Sequence, residues 1–253
     1  MDLGLKGKKA IVTGSTKGIG RRIVDLLADE GVDVGVCSRD EDEVAETVAA
    51  LKAKGVNAVG AAVNVRDGDA YKVWLTETAE ALGGVDIFVP NVSGGGGMDS
   101  EKNWWKCFEI DILGTVRGVE TLMPQLEQSE AAAVVIISST NAVEFFAGPM
   151  AYNAMKAALL NYSKQLALFV AKKGIRVNAV SPGPVYFEGG AWEMIEGTMP
   201  EFYKATLKQI PAGRMATPEE IARVVAFAAS PAGSVLQGAN IVADLGFTNR
   251  VQY

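Results

Sequence analysis

The sequence predicts an α/β fold: a doubly wound, mainly parallel sheet with helices on both faces. Three observations lead there. Short aliphatic runs alternate with helical patterns along the chain, which implies right-handed βαβ crossovers. The first run stops in a glycine turn that opens into a helix. No repeat, low-complexity tract or linker interrupts the 253 residues, so one domain spanning 1–253 is expected.

The elements follow in order. "KKAIVTG" (Lys8–Gly14) reads as a buried strand with a glycine stop. "IGRRIVDLLADEG" (Ile19–Gly31) places Ile23, Leu26 and Leu27 at helical spacing and ends in Gly31. "VDVGVCS" (Val32–Ser38) is a second strand, and "EDEVAETVAALKAKG" (Glu41–Gly55) an amphipathic helix. Further strands are expected at Asn57–Val65, Val85–Asn91, Ala132–Ser138, Ile175–Pro182 and Ala239–Gly246, with helical patterns between them. "SGGGGM" (Ser93–Met98) follows a strand and reads as a mobile loop near a site. Trp104 and Trp105 read as buried helix or interface residues.

Composition narrows the function. The net charge of −6 argues against nucleic acid, which needs a basic face. The longest aliphatic run, "AAAVVII" (Ala131–Ile137), is too short to span a bilayer. No apolar stretch precedes the first charges, so no secretory signal is read and a cytoplasmic location is expected. Cys37 and Cys107 are then expected to be reduced. The chain has no histidine, so no zinc site is expected and acid–base chemistry must rest on other side chains.

Two local motifs carry chemistry. The turn "TGSTKGIG" (Thr13–Gly20) lies between strand and helix, where glycines admit a pyrophosphate to the backbone and the helix N-terminus offers N–H donors. Gly14, Ser15, Thr16, Lys17, Gly18, Ile19 and Gly20 are therefore candidate cofactor contacts. At the end of the second strand, Ser38 and Arg39 stand where an acid would hold the ribose hydroxyls of NAD(H). With Lys17 they favour NADP(H), and NAD(H) stays possible. Asp40 is the competing signal and is expected to cap the next helix.

The second motif is "YNAMK". Tyr152 and Lys156, four apart, share a helix face, so an ammonium sits beside a phenol and lowers its pKa. A phenol tuned this way can pass a proton to a carbonyl oxygen while hydride moves elsewhere. "VVIISST" (Val134–Thr140) ends a buried strand in hydroxyls on the same side of the sheet. A serine there can orient the substrate oxygen. Each motif alone has an ordinary structural reading, as an exposed helix face or a turn cap.

Together these stretches, with "VDIFVPNVSG", "RVNAVSPGPV", "PAGRMATPEEIARVVAFAAS" and "GANIVADLG", resemble the short-chain dehydrogenase/reductase family in its compact single-domain, 3-ketoacyl reductase-like branch. The resemblance runs nearly end to end. It implies a Rossmann-type sheet of seven strands, a nicotinamide cofactor, and interconversion of an alcohol and a ketone. It implies that Tyr152 is the acid–base, that Lys156 also binds the nicotinamide ribose, and that Ser139, thirteen residues before Tyr152, positions the substrate oxygen. It further implies that Asn64, Val65 and Asn91 line the adenosine path and that Pro182, Gly183 and Val185 line the nicotinamide. It implies a homotetramer or homodimer built on the helices around Asp111 and Tyr152.

Departures from the family pattern are informative. Pro90 replaces an asparagine and lacks an N–H. Phe187 falls near the place of a threonine that meets the nicotinamide carboxamide. Asp111 replaces the asparagine that resembles a fourth catalytic member, whose main-chain carbonyl holds a water linked to the lysine. Two readings of Asp111 stand open. It preserves the backbone role and pairs with a neighbour, or its carboxylate lies near Lys156 and alters the proton relay.

Tyr186–Arg214 is expected to form a lid, at approximately 186–214, that carries Tyr186, Phe187, Trp192 and Phe202. Phe145 and Phe146 flank the serine–tyrosine gap. Ser139, Tyr152, Phe145, Tyr186 and Trp192 are the candidate substrate contacts, for a small, apolar or cyclic substrate. The alternative for these aromatics is helix core or subunit contact. The rival functions are a reductase of carrier-protein-bound 3-ketoacyl thioesters and a non-catalytic cofactor sensor.

Overall fold

Seven strands form one sheet in the order β3-β2-β1-β4-β5-β6-β7, with every pairing parallel. The structure is a computed structural model that describes residues 1–97 and 100–251. The strands are β1 Lys9–Thr13, β2 Asp33–Ser38, β3 Ala58–Ala62, β4 Ile87–Val89, β5 Ala133–Ile137, β6 Arg176–Pro182 and β7 Asn240–Ala243. The seven expected strands are all present. The aliphatic runs overshoot at the C-terminal ends of β3, β4 and β7, where the chain leaves the sheet to build a site.

Helices cover both faces. On one face α1 (Gly18–Asp29) packs with α9 (Pro218–Ala229) through Ile23, Val24, Leu27, Ile221 and Val225, all fully or nearly fully buried. On the other, α3 (Gly68–Leu82), α5 (Gly114–Leu126) and α6 (Ala151–Val170) bury Tyr71, Leu75, Leu122, Leu126, Leu159 and Val170 against Phe88, Val134 and Ile136. These strands carry apolar side chains on both faces, as a covered parallel sheet requires. The strand order reverses between β1 and β4, so the two halves of the sheet part there and leave a crevice at the strand C-termini.

Helix ends follow local chemistry. Asp40 caps α2 (Glu41–Lys52), its carboxylate accepting from the Glu43 N–H at 3.0 Å, as expected from its position after Arg39. Thr217 and Glu220 close a reciprocal capping box on α9. Between α4 (Glu101–Cys107) and α5 the helix widens into a π-helical segment, Phe108–Leu113, the stretch that holds Asp111. Such widenings place a side chain where a regular helix would not.

Of the two readings of Trp104 and Trp105, helix core does not hold within this chain, and the interface reading stands open. The two side chains are 38% and 59% exposed in this chain, because α4 packs through Cys107 and turns its tryptophans outwards. The segment from α7 (Ala191–Thr198) to α8 (Pro200–Gln209) lies where the lid was expected. Of the glycine-rich stretch Ser93–Met98, Met98 lies outside the described residues. Among the described residues no helix is long and apolar enough to cross a membrane.

Candidate active site

Two adjoining cavities open at the C-terminal ends of the strands. The first, of about 870 Å³, is a cleft running from the glycine turn across the ends of β2 and β3. Gly14, Thr16, Lys17, Gly18, Ile19, Gly20, Ser38, Arg39, Asn64, Val65 and Asn91 all line it. The second, of about 840 Å³, lies over the ends of β5 and β6. Ile19, Asn91, Ser93 and Phe187 border both, so the cavities share a wall.

The glycine turn is shaped by close backbone approach. A side chain on Gly20 would meet the Gly14 carbonyl oxygen at 2.2 Å. Asn91 then locks the turn, its amide donating to the carbonyls of Thr13 and Gly14 at 3.0 Å each. Gly18, at φ +53°, carries the turn into α1 and has the Phe187 ring directly over it. The first N–H groups of α1 have no carbonyl partner within the helix, so the turn offers donors and a positive dipole end to an anion. A glycine cradle, a helix N-terminus and Arg39 at the far end form a donor set that fits a dinucleotide cofactor.

The second cavity holds the hydroxyl–phenol–ammonium group. Ser139, Tyr152 and Lys156 line it together. Tyr152 and Lys156 stand at the start of α6, and the ammonium lies 5.7 Å from the centroid of the Tyr152 ring. The Ser139 hydroxyl oxygen accepts from the Asn141 N–H at 3.2 Å, which leaves its own O–H to donate. The Ser138 hydroxyl instead donates to the Lys156 carbonyl at 2.9 Å and pins α6 to β5. Around these groups Phe146, Met150, Trp192, Met194, Phe202 and Phe247 form an apolar wall, and Lys156 is the only charged side chain among the described residues that line the cavity.

Beneath the second cavity Lys156 is almost fully enclosed, with 2% of its surface exposed. Its ammonium donates to the Ile137 carbonyl at 2.9 Å and lies 3.0 Å from Asp111 Oδ1. The contact between Nζ and Oδ1 is a buried ion pair. Asp111 Oδ2 accepts from the Gly94 N–H at 2.8 Å. The Asp111 main-chain carbonyl is also engaged, accepting from the Thr115 hydroxyl at 2.7 Å.

A family model described as Enoyl-(Acyl carrier protein) reductase matches residues 14–248. The chain is 36% identical to an isoepoxydon dehydrogenase from Aspergillus clavatus, with 98% of each chain covered. It is 31% identical to dehydrogenase/reductase SDR family member 4 from Sus scrofa, covering 98% of this chain and 89% of that one. The chain belongs to the short-chain dehydrogenase/reductase family. Its structure also aligns with L-sorbose reductase from Gluconobacter frateurii, solved with NADPH and L-sorbose, at a TM-score of 0.90 and 29% identity. That alignment covers 99% of this chain and 100% of the other. This short-chain dehydrogenase/reductase is thus an oxidoreductase with the Rossmann-type sheet.

The site of this family member gathers most residues that the sequence singles out. Pro182, Gly183 and Val185 line the second cavity, and Trp192 forms part of its wall. Three residues fall elsewhere. Ser15 is buried and bonds within the sheet, donating to the Val12 carbonyl at 2.8 Å and accepting from Cys37 N at 3.2 Å. Phe145 is 83% exposed and lies outside the second cavity, because Ala147, at φ +57°, turns the loop so that Phe146 faces in. Tyr186 is outside both linings, where its hydroxyl donates to Glu196 at 2.7 Å and its ring packs on Tyr203. That carboxylate pushes the Tyr186 phenol up to about 12.

Sequence reading also missed residues. Phe247 reaches the cavity from beyond β7, and Glu43 lines the cofactor cleft from α2. Asn153, inside "YNAMK", donates to the Phe146 and Gly148 carbonyls at 3.2 Å each and sets the loop that carries Phe146. A polar residue within the tyrosine–lysine spacing was the available signal.

Proposed function

We propose that the protein interconverts a secondary alcohol and a ketone on a small, neutral, apolar or ring-containing substrate, with NADP(H) preferred. The observation that carries this reading is the Ser139–Tyr152–Lys156 group at the base of an apolar cavity that shares a wall with the glycine-turn cleft. The glycine turn, Asn64, Val65, Asn91, Pro182, Gly183 and Val185 would hold the dinucleotide, with Arg39 at the ribose phosphate. A bound nicotinamide supplies or accepts the hydride.

The chain's own residues manage the proton. Ser139 donates to the substrate oxygen and fixes it beside Tyr152. Tyr152 gives a proton to that oxygen in reduction and takes one from it in oxidation. Lys156, hydrogen-bonded to the Ile137 carbonyl and paired with Asp111, holds its ammonium beside the Tyr152 ring. The α7–α8 region acts as a lid that excludes water. The apolar wall disfavours charged substrates, which would lose their hydration there without a partner. NADPH in the L-sorbose reductase complex supports the cofactor reading.

The rival reading, reduction of carrier-bound acyl thioesters, has the name of the matched family model in its favour and the net charge of −6 against it. A dimer or tetramer through α4–α6 fits the exposed Trp105, Leu168 and Phe169 there. A screen of cyclic and acyclic ketones, secondary alcohols and acetoacetyl thioesters with both cofactors, read at the NAD(P)H absorbance, tests the whole. Turnover of ring ketones with NADPH supports the reading. Robust turnover of thioesters alone, or clear NADH preference, overturns the corresponding part.

A further inference from the structure

The adenosine end of the cleft contains an acid. Glu43, in the first turn of α2, lines the cleft beside Lys17, Ser38 and Arg39. One carboxylate oxygen is ion-paired with the Lys17 ammonium. The other accepts from the Thr16 hydroxyl at 2.9 Å. The pairing raises the Lys17 pKa, chiefly through the hydrogen bond with Glu43. The Ser38 hydroxyl is also occupied, accepting from Asp40 N and donating to the Asp40 carbonyl at 3.1 Å each. Arg39 makes no ion pair among the described residues.

A phosphate entering here meets one uncommitted guanidinium and one lysine whose charge is already balanced. The Glu43 carboxylate repels the phosphate about as strongly as the neighbouring ammonium attracts it. We propose that Glu43 determines the cofactor selectivity of this cleft: by holding Lys17 in an ion pair it leaves discrimination for a 2′-phosphorylated dinucleotide to Arg39 and keeps that discrimination modest. This rests on the reading that the cleft binds a nicotinamide dinucleotide.

The test is a fluorescence titration of the full chain with NADPH and, separately, NADH. Glu43→Gln keeps an acceptor for Thr16 and removes the charge. It should tighten NADPH binding about threefold to fivefold, the scale of an exposed ion pair, and leave NADH within about twofold. The gain should shrink as salt rises. Lys17→Met alone should change NADPH affinity by less than about twofold, yet abolish the gain when combined with Glu43→Gln. Weaker or unchanged NADPH binding in Glu43→Gln, or equal tightening of both dinucleotides, overturns the proposal. Should Glu43→Gln fail to fold, Lys17→Met decides. A loss beyond about fivefold would show Lys17 serving the phosphate despite Glu43, and would overturn it too. Native protein that binds neither dinucleotide removes the parent reading along with this one. Native protein that binds both, with Glu43→Gln silent, removes this one alone.

Discussion

Asp111 and Lys156 form an ion pair sealed from solvent, 3.0 Å between Oδ1 and Nζ, with the two side chains 0% and 2% exposed. A buried ammonium needs a countercharge, and the π-helical widening at Phe108–Leu113 delivers it. The same carboxylate holds Gly94, at the base of the glycine-rich loop beside the second cavity. We therefore predict that Asp111→Asn folds and turns over, because the amide oxygen can still accept from Gly94. Stability should fall by about 3 kcal/mol, since one partner of a buried pair is neutralised. Thermal melts and kcat together check this. A loss of kcat as deep as that of Tyr152→Phe would show the carboxylate acting in the chemistry itself.

Tyr152→Phe removes the proton carrier and little else. The ring stays beside Lys156, and among the described residues the hydroxyl makes no hydrogen bond that the fold would lose. The expected result is a kcat lower by about two to four orders of magnitude, with NADPH affinity nearly unchanged. Activity within tenfold of the native protein would sink the assignment of Tyr152.

Phe145 and Phe146 are adjacent in sequence and opposite in environment. Phe146 packs on Trp192, Phe202 and Phe247, whereas Phe145 is 83% exposed. Phe146→Ala should raise the KM of a ring ketone about tenfold or more, as expected for a lost pocket contact. Phe145→Ala should leave KM within about twofold. Reversal of that order would show that the loop reorganises around substrate.

Acid stability should carry a signature of Glu220. Arg214 bonds its carboxylate at 2.7 and 2.8 Å and, with the Thr217 N–H, holds its pKa down to about 2. A depressed carboxylate stabilises the fold fully above its ordinary range and loses that contribution as pH falls towards the folded value. Glu220→Gln should therefore melt at a lower temperature at pH 7, by on the order of 1 kcal/mol from the cap. The gap to the native protein should close as pH drops from about 4.5 towards 2. A gap that is constant over this window would assign the loss to packing instead.

Much of the fold and part of the site were legible in the amino-acid sequence alone. Strand and helix periods, the glycine turn after β1, the Asp40 cap and the four-residue spacing of Tyr152 and Lys156 are local patterns, set by backbone geometry within one or two turns of chain. Tertiary structure decided the rest. Asp111 meets Lys156 because α6 and the π-helical segment pack side by side, Glu43 meets Lys17 because α2 starts beside the glycine turn, and Phe247 joins Phe146 from beyond the last strand. Neighbouring residues also parted: Ser138 bonds to α6 while Ser139 faces the cavity, and Phe145 points away while Phe146 points in. These contacts depend on sheet register and on the turn of a single loop, and no periodicity in the sequence encodes which distant side chain will stand opposite.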